Sequence, residues 1–141
     1  MRGFYALGVL KALEEAGLRE RIDAVYGVSV GAIIASYWAS GWSAQQIWER
    51  FRDLPIATMK WLTRSPTKHL LETEVLEEYF KKDLKHTFEE TEIPVYLGAT
   101  DILSGKFILF RTGELMHPLL GSIALPGIFP SVKYQNFLLN D

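Results

Sequence analysis

The chain has 141 residues, 48% of them hydrophobic and 23% charged, the proportions of a single soluble globular domain. A net charge of −2, with no Lys/Arg block anywhere, argues against a nucleic-acid partner. Zero cysteines exclude disulfides and thiolate metal sites and suit a cytosolic protein.

The opening run from Met1 to Leu10 superficially resembles a short signal peptide, but Lys11, Glu14 and Glu15 interrupt it and no small-residue cleavage site follows. Ala6, Val9, Leu10, Leu13 and Ala16 instead form a helical stripe that Gly17 stops. No apolar run approaches a membrane span. Ile22-Asp23-Ala24-Val25-Tyr26 reads as a strand, and beyond Gly27-Val28-Ser29-Val30-Gly31 the residues Val30, Ile33, Ile34, Tyr37 and Trp38 recur at helical spacing. After a break at Gly41, Ser43 and Gln46 make a capping box for a helix carrying Ile47, Trp48, Phe51 and Leu54, closed by Pro55. Residues 56–72 are less regular, with a turn at Ser65-Pro66.

Thr73 is expected to cap a helix bearing Leu76, Tyr79 and Phe80, with Glu74, Glu77 and Glu78 early and Lys81, Lys82 and Lys85 late, as the helix dipole favours. Pro94 to Asp101 reads as a strand, and Ser104-Gly105 as a hairpin turn into Lys106-Phe107-Ile108-Leu109-Phe110. A short helix covers roughly Gly113 to Leu120, and Val132 to Gln135 and Phe137 to Asn140 are two strands around a tight turn. Alternating strands and helices make the chain α/β. Tyr37, Trp38, Trp42, Trp48, Phe51 and Trp61 gather after the Ser29 helix, with core packing as the default role and an acyl-chain pocket or interfacial patch as the alternative.

A serine between two glycines at a strand-to-helix turn is a nucleophile elbow. The turn is expected to be too tight for a Cβ at Gly27 or Gly31, and the helix N-terminus behind Ser29 favours developing negative charge. A serine hydroxyl needs a base to take its proton. His69 and His86 lie in polar, lysine-bearing stretches, which leaves His117, beside Pro118, as the histidine candidate. Ser29, Asp101 and His117 follow the chain order of an α/β-hydrolase triad, although only 28 residues precede Ser29, where that fold places several strands. Asp101 alternatively ends a strand beside the Ser104-Gly105 turn. The other arrangement is a Ser–Asp dyad.

Four ordered stretches resemble the patatin-like phospholipases. Arg2-Gly3 runs into Gly8-Val9-Leu10-Lys11-Ala12-Leu13, similar to the end of that family's oxyanion loop and its first helix. The elbow follows at Gly27 to Gly31, and Ser122-Ile123-Ala124-Leu125-Pro126-Gly127-Ile128-Phe129-Pro130 is similar to the family's Ser-x-Ala-x-Pro-x-x-Phe-Pro segment. Leu138-Leu139-Asn140-Asp141 falls where the family carries its catalytic aspartate.

The resemblance implies a three-layer α/β sheet with helices on both faces, and a serine lipid acyl hydrolase with Ser29 as nucleophile and Asp141 as base. It implies backbone N–H groups of Gly3 and Val30 at the oxyanion, Arg2 supporting the loop or attracting an anionic head group, and no metal or cofactor. The implied partners are a phospholipid or other acyl ester and the membrane surface. The chain starts at the x of the family's Gly-Gly-Gly-x-Arg-Gly and stops on the aspartate, so residues 1–141 are expected to be one domain incomplete at both ends, slow in turnover and prone to self-association. Kept beside this reading are a general esterase or thioesterase, including the Ser–His–Asp form, and a non-catalytic lipid-binding or interaction domain. An acyl-carrier transferase would need His117 beside Ser29.

Overall fold

Runs of β-branched and aromatic residues form the sheet. The structure, a computed structural model, describes residues 2–52 and 69–141, with side chains for 5–52 and 73–141. The strands are β1 (Val25–Val28), β2 (Val95–Asp101), β3 (Lys106–Phe110), β4 (Val132–Tyr134) and β5 (Phe137–Asn140). The α-helices are α1 (Arg2–Glu15), α2 (Val30–Ala39), α3 (Ala44–Arg52), α4 (His69–Asp83) and α5 (Met116–Ile123). The expected α/β class holds.

Register explains how the sheet creates a site. β1 runs parallel to β2 along Val95–Gly98, whereas β5 runs antiparallel to it at Thr100 and Asp101. β3 pairs with Leu97–Asp101 and so occupies the opposite edge of β2 from both. A strand has only two hydrogen-bonding edges, so β1 and β5 share one and meet end to end. Both present their C-terminal ends to the same gap, and β4 closes the outer side of β5.

The described helices lie on one face. α2 sits on β1 and β2, α5 on β2, β4 and β5, and α1 packs against α2 and α3. Leu97, Leu139, Trp38, Leu119 and Ile47 are fully buried between these layers. Helices on both faces were expected, and the described residues supply one of those layers. The other sheet face presents Tyr26, 66% exposed and stacked on Tyr96 at 4.5 Å, with Val28, Leu109 and Phe107 beside it. The Phe107 ring covers Gly98, where a Cβ would overlap its Cζ.

Several local expectations hold. Ser43 and Gln46 form a reciprocal capping box, the Ser43 N–H donating to Gln46 Oε1 at 2.9 Å and the Gln46 N–H to Ser43 Oγ at 3.1 Å. Gly17 ends α1 at φ 66°, and the Leu18 N–H closes back onto the Leu13 carbonyl at 2.9 Å. Others shift. The first strand begins at Val25 rather than Ile22, because its register is set by β2. α4 starts at His69, which puts Thr73 inside it, since Leu70, Leu71 and Glu72 are good helix formers. α5 is Met116–Ile123 because the Glu114 carboxylate accepts the Met116 N–H at 3.0 Å and so fixes the start. The α1 seam runs through buried Leu7, with Val9 and Ala16 exposed. Leu54, Pro55, Trp61, the Ser65-Pro66 turn and the side chains of Arg2 and His69 lie outside the described residues.

Partly buried polar clusters tie the helices together. Glu14 Oε1 accepts the Trp38 Nε1–H at 2.7 Å, the Ala44 N–H at 3.0 Å and Arg19 Nη1 at 3.0 Å, joining α1, α2 and the start of α3. Tyr37 donates to Asp83 at 2.7 Å, and burial, reinforced by that hydrogen bond, pushes its phenol well above the usual tyrosine range. Tyr37 and Trp38 are core residues, and Trp42, Phe51 and Phe80 surround the Tyr37 ring.

Candidate active site

Ser29 stands between β1 and α2 at φ 56°, ψ −132°, a left-handed conformation that costs a non-glycine residue about 1–3 kcal/mol. The chain turns back so sharply that a Cβ on Gly27 would lie 2.6 Å from Ala32 Cα. Gly27 is therefore obligatory. Gly31 is not: among the described residues a Cβ there meets nothing within 4 Å, which corrects the expectation that both glycines are sterically required. Gly31 lies in the first turn of α2, where a side chain points outward.

At the gap where β1 and β5 meet, the Ser29 hydroxyl donates to Asp141 Oδ2 at 2.5 Å. Two contacts from the α5 end fix the partners. The Ser29 N–H donates to Ser122 Oγ at 3.0 Å, and the Asp141 N–H donates to the Ala124 carbonyl at 3.0 Å. Asn140 Nδ2 shares that carbonyl at 2.9 Å, leaving Asn140 Oδ1 buried without a partner among the described residues. Val30 opens α2, and the first N–H groups of a helix have no intrahelical acceptor. Arg2 and Gly3 lie in the first turn of α1.

The other candidates are engaged elsewhere. His117 Nδ1 pairs with Glu114 Oε2 at 2.9 Å, and its ring stacks on Tyr134 with centroids 5.7 Å apart. It lines a cavity of about 530 Å³ with Lys85, Lys133 and Glu77 that includes neither Ser29 nor Asp141. Asp101 accepts from the Ser104 hydroxyl at 2.5 Å and from the N–H groups of Ser104, Leu103 and Leu138. These bonds, the Ser104 hydroxyl first, hold its carboxyl below the usual range. It is the strand-ending residue of the β2–β3 turn. Among the described residues, no group of three or more His, Asp or Glu side chains could hold a metal ion. No described helix is long and apolar enough to cross a membrane.

Sequence reasoning missed two contacts, Ser122 on the Ser29 amide and the Ala124 carbonyl on Asp141. Their only trace was the spacing Ser122-x-Ala124.

The fold and elbow define an α/β protein with a serine at the strand-to-helix turn next to the central strand. The patatin-like phospholipase family model matches residues 1–140, and the chain belongs to that family. It is 29% identical over 135 residues to the neuropathy target esterase sws of Drosophila persimilis and of Drosophila virilis, and 28% identical to that of Drosophila melanogaster. Each alignment covers 92% of this chain and 9% of the relative, so the chain spans less than a tenth of the length of those proteins.

Proposed function

We propose that the protein is a serine lipid acyl hydrolase that cleaves phospholipid, lysophospholipid or related acyl esters through Ser29 and Asp141. The observation that carries this reading is the 2.5 Å hydrogen bond from the Ser29 hydroxyl to the Asp141 carboxylate. It puts an acceptor directly on the proton that a serine must lose to become a nucleophile. Family membership and the esterase relatives support the same reaction class.

Ser29 Oγ attacks the ester carbonyl carbon as its proton passes to Asp141. The tetrahedral oxyanion is held by the Val30 N–H at the α2 terminus and by the Gly3 N–H in the first turn of α1, with Arg2 attracting an anionic head group. On collapse, Asp141 returns the proton to the departing alcohol and the acyl group stays on Ser29. Water then attacks the acyl-enzyme carbonyl and gives a proton to Asp141. As the second tetrahedral intermediate collapses, Asp141 passes that proton to Ser29 Oγ, releasing the fatty acid and free serine. No metal or cofactor enters these steps. Exposed Val30 and Leu125, flanking Ser29 and Ala124, support a lipid substrate met at a membrane surface by peripheral contact.

A fluorophosphonate probe tests the nucleophile. It should label the protein on Ser29, and Ser29→Ala should abolish both labelling and ester hydrolysis. Labelling that survives the substitution overturns the assignment.

A further inference from the structure

The segment Gly121–Ala124 touches both arms of the site. Gly121 lets α5 lie directly on β5, since a Cβ there would come within 2.6 Å of Leu139 Cβ, two residues before Asp141. One residue on, Ser122 is fully buried and its hydroxyl oxygen receives the Ser29 N–H at 3.0 Å, across 93 positions of sequence. Two residues further, the Ala124 carbonyl receives the Asp141 N–H. The nucleophile and its hydrogen-bond partner are thus referenced to the same four-residue stretch.

We propose that Ser122 is a positioning residue: it holds the strained Ser29 backbone so that Oγ faces Asp141, and it removes the Ser29 N–H from the oxyanion donors, leaving that task to Val30 and Gly3. The inference rests on the reading of Ser29 as nucleophile. A left-handed serine relaxes unless its surroundings over-determine it, and the Ser29 amide is satisfied by the Ser122 hydroxyl. Without that acceptor the amide has reason to turn toward water, carrying Oγ away from the carboxylate.

The test compares Ser122→Cys and Ser122→Ala with the wild-type protein, and adds Ile47→Val, a fully buried position on α3, as a destabilised control. Cysteine fills the space of the serine side chain with a slightly larger atom but is a poor acceptor. On a short-chain nitrophenyl ester, kcat should fall about 10- to 100-fold in both Ser122 variants with KM unchanged, the scale expected for a misplaced reacting group. Fluorophosphonate labelling of Ser29 should slow in step. Ser122→Cys should melt near the wild-type midpoint, whereas Ile47→Val should melt lower and keep its kcat. Wild-type turnover in Ser122→Cys overturns the proposal. So does an unfolded Ser122→Cys, which assigns the hydrogen bond to folding, or an equal kcat loss in Ile47→Val. Persistent labelling of Ser29→Ala strikes the nucleophile itself, whereas normal Ser122 variants beside a dead Ser29→Ala strike this inference alone.

Discussion

The Asp101 carboxylate receives the Leu138 N–H at 3.0 Å, tying the β2–β3 turn to the strand that leads into Asp141. The same carboxylate holds the Ser104 hydroxyl and amide, so one side chain sets both the turn and the entry of β5. Asp101→Ala should lower the melting midpoint by several degrees in a thermal scan. The pH dependence follows from the sign of the shift. The folded carboxyl titrates below its ordinary value of 3.8, so its contribution is present above about pH 4 and is lost as pH falls through the lower folded value. Asp101→Asn should flatten that part of the acid limb in a pH series of melting midpoints.

The two elbow glycines should behave differently. Gly27→Ala drives a methyl into the α2 backbone and should unfold the elbow, at a cost of about 3 kcal/mol or more, as overpacking of a rigid site does. Gly31→Ala meets open space inside a helix and should be neutral or stabilise by about 0.5–1 kcal/mol. Urea titration of the two variants checks both values.

Glu14 carries a second prediction about stability. Glu14→Ala strips the acceptor from the Trp38 indole and the Ala44 amide and leaves Arg19 without its carboxylate. A loss of about 2 kcal/mol is expected, the scale for buried donors left unsatisfied. Chemical denaturation reads it directly.

What could be read without coordinates was local. Ser104-Gly105, the Ser43/Gln46 box and the Gly17 stop each write their geometry into adjacent residues, and the strand–serine–helix order around Gly27 to Gly31 does the same. Pairing register is not local. β1 is displaced to Val25–Val28 because β2 fixes which of its residues are bonded. Glu14 registers in the sequence only as a charge that interrupts an apolar run, yet its partners at Trp38 and Ala44 lie 24 and 30 residues away. Nothing in Leu138-Leu139-Asn140-Asp141 points at Ser29, which is 112 positions distant, and Asp141 was marked only through the family resemblance. Ser122 stands out only as the first residue of the family-like Ser122-x-Ala124 segment, and nothing beside it points at the Ser29 amide 93 positions away.

The chemistry of the site turns on which side chain takes the serine proton. The decisive measurement is kcat/KM for ester hydrolysis in Asp141→Asn against His117→Ala, at matched folded concentration. Removing a general base costs about 10²- to 10⁴-fold, and the Asp141 variant should lose that much. The His117 variant should keep most of its turnover, because its ring is spent on Glu114 and Tyr134. A folded but inactive His117→Ala, beside an Asp141→Asn that turns over normally, would contradict the Ser29–Asp141 chemistry.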